Sequence, residues 1–132
     1  VPRSPPTEVP VPEPVYDRRE QLEQIASGLL DGEVILAVYD AIGAGTGFIG
    51  LTNLRVIVQD KSFVGKKVAI TSIPYSKISS VSVLSNKSWA GGFFSTSSIA
   101  IHATSNTYEV DFRGSDKAHH AHDVILWHIT SG

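Results

Sequence analysis

With 132 residues, 42% of them hydrophobic, the chain is sized for one domain that buries its own core and needs no staple. It has no cysteine, so disulfides and thiolate metal sites are excluded, and a reducing, cytoplasmic setting is the expectation. The net charge is −2 and the eleven basic residues are scattered, not gathered into a phosphate-neutralising stripe, which argues against nucleic acid as a partner.

Six of the seven prolines fall within the first 14 residues. Residues 1–16 therefore read as an extended, proline-rich linker or a processing remnant, and 17–132 as the domain. No apolar run approaches the roughly 20 residues that span a bilayer, so a membrane-spanning segment, if the protein has one, is expected in sequence upstream of Val1. Asp17 followed by Glu20 has capping-box spacing. Leu22, Ile25, Ala26, Leu29 and Leu30 then put one apolar face on a helix that Asp31 and Gly32 should end.

From Glu33 the pattern changes to strands. Val34–Ile42 is a long apolar run, Gly47–Leu51 and Arg55–Asp60 flank a turn at Thr52 and Asn53, and Lys67–Ile73 follows Gly65. Ile78–Leu84 alternates valine with serine, while Ser98–Ala103 and Thr107–Phe112 each place apolar residues on one side. Ser115 is suited to cap a final helix whose inward stripe is Ala118, Ala121, Val124, Ile125 and His128. Leu126, Trp127 and Ile129 carry apolar surface most of the way round that helix, so it should seek a second apolar neighbour. The expected fold is mainly β with α: a seven-stranded antiparallel barrel or sandwich, capped by the C-terminal helix and preceded by an N-terminal one.

The stretch from Leu29 to Ile35, the unit Leu51–Lys61, and the block Gly65-Lys66-Lys67-Val68 followed by Ser72-Ile73-Pro74-Tyr75-Ser76-Lys77-Ile78 resemble the bacterial pleckstrin-homology domains. The resemblance covers roughly 100 residues and leaves out the proline-rich start. It implies a pleckstrin-homology-like barrel, frequent homo-oligomerisation and no established catalytic activity. The chain departs from the family between the fifth and sixth strands, where an acidic run is replaced by Ser88-Trp89-Ala90-Gly91-Gly92-Phe93-Phe94-Ser95. Contacts made by those family carboxylates have no counterpart here.

Several motifs imitate chemistry. Gly45-Thr46-Gly47-Phe48-Ile49-Gly50 is a literal GxGxxG, but a dinucleotide site needs a helix to start there, and the following residues are a turn and a β-branched run. His119, His120 and His122 cluster near Asp116 and Asp123; they offer a metal site or a pH-sensitive surface, with an ordinary solvated helix face as the simpler reading. No nucleophile elbow is present. The loop Ile42–Gly47 has no Lys or Arg, unlike the basic first loop of phosphoinositide-binding relatives. No cofactor is expected. The candidate site is instead an interaction surface: Trp89, Phe93 and Phe94 in a Gly/Ser setting, with Leu126, Trp127 and Ile129 on the last helix. The expected function is a non-catalytic module that self-associates into a homo-oligomer, with a peptide added at a strand edge as a further mode. The alternative is a peripheral membrane module inserting the Trp89–Phe94 aromatics.

Overall fold

The computed structural model describes residues 13–42, 46–64, 67–85, 96–104 and 106–131. Its elements run β1 (Val15–Tyr16), α1 (Arg19–Ala26), β2 (Ile35–Asp40), β3 (Thr46–Thr52), β4 (Arg55–Val64), β5 (Lys67–Pro74), a 3-10 turn (Tyr75–Lys77), β6 (Ile78–Ser85), β7 (Thr96–Ala103), β8 (Thr107–Arg113) and α2 (Ser115–Ser131). All seven anticipated strands are present as β2 to β8. β1 to β5 form one sheet in chain order, β1 parallel to β2 and the rest antiparallel. β6 to β8 form a second, antiparallel sheet. Among the described residues an isolated bridge between Ile42 and Asp111 is what joins the two, so the architecture is a sandwich and not a closed barrel.

The core follows from the sequence pattern. Ala37, Tyr39, Ile49, Leu51, Val56, Val58 and Ile73 project from the first sheet onto Ile99, Ile101, Val110 and Phe112 of the second. Ala118, Ala121 and Ile125 of α2 complete it, the two alanines letting the helix approach closely. The opposite face of the first sheet is also covered: Val38, Phe48 and Ile57 pack with Ile25 of α1, flanked by Leu22 and Leu29. Burial on both faces is why β2 and β4 read as continuous apolar runs and not as strict alternation. At Gly50 a Cβ would collide with Ile25 Cδ1, so this glycine exists to let α1 lie on the sheet. The GxGxxG spacing is thus a packing feature: β3 continues through it to Thr52, and no helix opens there.

The N-terminal region differs from expectation in three ways. Val15 and Tyr16, assigned by composition to the linker, form β1 opposite Ala37 and Val38. Asp17 does not cap α1, whose N-cap is Arg18 with no side-chain bond. Its carboxylate instead accepts the Asp40 backbone N–H at 3.0 Å and pairs with Lys117 at 3.0 Å, tying β1 to β2 and to α2. Finally, α1 stops at Ala26: the Ser27 and Gly28 amides bond back to the Glu23 and Ile25 carbonyls, Leu29 returns to the small core and Leu30 is left exposed. Gly32 does adopt a positive φ of 78°, but in the turn that leads to Glu33, not as the cap of the helix. Among the described residues no helix is long and apolar enough to cross a membrane.

Candidate interaction surfaces

The best-built surface grows from a buried carboxylate. Glu33 is 7% exposed and accepts from Thr52 Oγ1 at 2.7 Å, from Arg55 Nε and a terminal guanidinium N–H at 2.8 and 2.9 Å, and from the Leu30 amide at 2.9 Å. These donors outweigh the cost of burial and push the carboxyl down to about 2, the Arg55 bond contributing most. The same pairing raises the Arg55 guanidinium above its ordinary value. Thr52 Oγ1 also accepts the Leu54 and Arg55 amides, and Asn53 bridges the Val34 amide and the Gly32 carbonyl. The β3–β4 turn is therefore held rigidly, with Leu54 presented to solvent.

Tyr75 connects this turn to α2. Its hydroxyl donates to the Thr52 carbonyl at 2.6 Å, and burial raises its pKa well above the ordinary phenol value. Its ring stacks on His128 with centroids 4.2 Å apart and planes 9° from parallel. The Nδ1–H of His128 donates to the Val124 carbonyl at 2.7 Å, which fixes the ring. Trp127 stands edge-on to His128 at 4.9 Å and is 63% exposed. Asn53, Leu54, Pro74, Tyr75, Trp127 and His128 line an open cleft of about 390 Å³. Its floor is ordered polar and aromatic structure, and Leu54 and Trp127 stand at it as exposed apolar groups.

Of the residues singled out from sequence, Leu126 and Trp127 are exposed on the outer side of α2, whereas Ile129 is half-buried against the main core. Trp89, Phe93 and Phe94 lie outside the described residues. His128 lies at the end of the inward stripe, half-buried, as part of the aromatic stack and not within the sealed core. The three clustered histidines diverge. His120 Nδ1 meets the Tyr39 hydroxyl at 2.6 Å, His122 Nδ1 meets Asp123 at 3.0 Å, and His119 is exposed. Among the described residues no group of three or more His, Asp or Glu is placed to hold a metal. Leu54 and Tyr75 were not among the sequence candidates. The signal for Leu54 was an apolar residue in a tight turn, where a polar one is usual.

A family model described as Bacterial PH domain matches residues 15–129. Among solved structures, a pleckstrin homology domain from Shewanella amazonensis SB2B superposes with a TM-score of 0.62 at 20% identity, over 86% of this chain and 99% of that one. A DUF1696 family protein with a pleckstrin-homology domain from Shewanella loihica PV-4 gives a TM-score of 0.58 at 22% identity, over 83% and 91%. At these identities the likeness is one of fold. None of the curated proteins matches the chain.

Proposed function

The chain belongs to the bacterial PH domain family, and from that premise we propose that it is a non-catalytic protein-interaction module that assembles with copies of itself. The observation that carries the reading is Trp127, 63% exposed beside Leu54 on a floor that is otherwise rigid. A large aromatic held ready on an ordered base loses little entropy on docking and is the usual centre of a protein contact. Two details support an interface over a reaction centre. The polar groups beneath the cleft are consumed in holding the β3–β4 turn, so they are not free to act on a substrate. The neighbouring imidazole is fixed by a backbone bond and a ring stack, not aimed at a nucleophile.

Size-exclusion chromatography with light scattering on the purified chain tests this. The unaltered chain is expected to run as an assembly, and the pair Leu54→Ser, Trp127→Ser as a smaller species. A monomer at every concentration of the unaltered chain, or an unchanged mass for the pair, would overturn the reading.

A further inference from the structure

β1 sets the direction of the chain that precedes it. It runs parallel to β2 with Val15 opposite Ala37, so, followed backwards, the chain heads toward Ile35. Just before Ile35, Val34 exchanges two hydrogen bonds with Asn53, on the wall of the Trp127 cleft. α2 leads the same way. Its Lys117 pairs with Asp17 next to β1, and its His120 lines a pocket together with Val15. Lys117, His120, Val124 and Trp127 fall at i, i+3, i+7 and i+10, along one side of the helix. β2 and α2 therefore flank β1, and both lead from it to the cleft.

The spans agree. From Lys117 to Trp127 α2 advances about 15 Å. From Asp17 back to Pro12 an extended chain covers about 16 Å, at ~3.1 Å per residue. That path delivers Val9-Pro10-Val11-Pro12 to Trp127.

The cleft offers what this segment wants. Proline has no N–H, so the two prolines add carbonyl acceptors without donors. Trp127 is 63% exposed, and its indole N–H has no partner among the described residues. Tyr75 and His128, stacked at 4.2 Å, supply flat aromatic surface, and Leu54 an exposed apolar group. Aromatic grooves recognise proline-rich segments in this manner, and a chain already biased to the polyproline II form loses little entropy on docking.

We infer that Val9–Pro12 dock in polyproline II form on the Trp127 cleft of their own chain, as a strap over it. The docking stands on the geometry of β1, α2 and the cleft. Its consequence, that the strap competes with a neighbouring copy for the same surface, rests on the self-association proposed above. A short tether holds the segment at about millimolar effective concentration, so a contact of about 0.1 mM affinity covers the cleft about nine-tenths of the time.

The cysteine-free chain takes a single dye. Glu8→Cys carrying bimane, which tryptophan quenches on contact, is read in the full chain with Trp89→Phe, leaving Trp127 as the sole tryptophan. The dye is expected to be quenched about twofold or more. Trp127→Phe should restore its emission, and so should P10S/P12S with the melting temperature unchanged. Quenching should persist when the labelled chain is diluted into excess unlabelled W89F/W127F chain. Its loss on that dilution would place the segment on a neighbour's cleft, and full quenching in the proline variant would assign the proximity to the tether alone; either overturns the strap. Absence of quenching overturns it too, and leaves self-association standing. By light scattering, P10S/P12S should assemble several-fold more tightly than the unaltered chain, and an assembly no tighter overturns the competition. If the dye reports the strap while both chains are monomeric at every concentration, self-association falls and the strap stands.

Discussion

Replacing Glu33 by Gln should cost this domain a large part of its stability, and the cost should vanish in acid. Glu33 is the hub from which the β3–β4 turn is held, and its carboxyl is pushed down to about 2 by Arg55, the Leu30 amide and Thr52. A depression of that size from the usual carboxylate range corresponds to roughly 3 kcal/mol of preferential stabilisation of the charged form. Mutational experience with broken buried ion pairs gives a similar figure, about 3–5 kcal/mol, because Arg55 would be left uncompensated. The sign follows from the direction of the shift. A carboxyl whose folded pKa is lowered contributes fully above its unfolded pKa and loses that contribution as pH falls through the unfolded and then the folded value. Urea titrations at several pH values from 7 down to 2 check this. At pH 7 Glu33→Gln should lie about 2–3 kcal/mol below the unaltered chain, and the two curves should converge between about pH 4.5 and 2. A difference at pH 7 under 0.5 kcal/mol, roughly the range of an ordinary surface change, or a gap that does not close in acid, would refute the argument.

Gly50→Ala should destabilise by about 1–3 kcal/mol in a urea melt, because the added methyl strikes Ile25 and lifts α1 from the sheet. Asp17→Ala should cost about 1 kcal/mol or less globally, since one exposed backbone bond and one half-exposed ion pair are lost. Its clear signature should be faster hydrogen exchange at the Asp40 amide and at Asp17, whose N–H bonds the Val38 carbonyl. Leu54→Ser with Trp127→Ser should change association while shifting stability by about 1 kcal/mol, as Leu54 is 43% and Trp127 63% exposed.

The parts of the fold governed by neighbours in sequence were readable, and those governed by distant contacts were not. β2 to β8 announced themselves through alternation, β-branched runs and Gly, Asn or Pro between them, and the inward stripe of α2 through its 3.6 spacing. Asp17 misled because a local cap and a long-range tether demand the same side chain; only the fold brings Lys117 and Asp40 within reach. The two-residue β1 has no periodicity to read and exists because β2 offers it an edge. α1 ends early because the chain must turn back to place Glu33 under Arg55, a demand made 22 residues further on. Trp127 was legible as apolar surplus on a helix that had already satisfied its core. Leu54 was not, since its importance depends on the turn being pinned beside the end of α2.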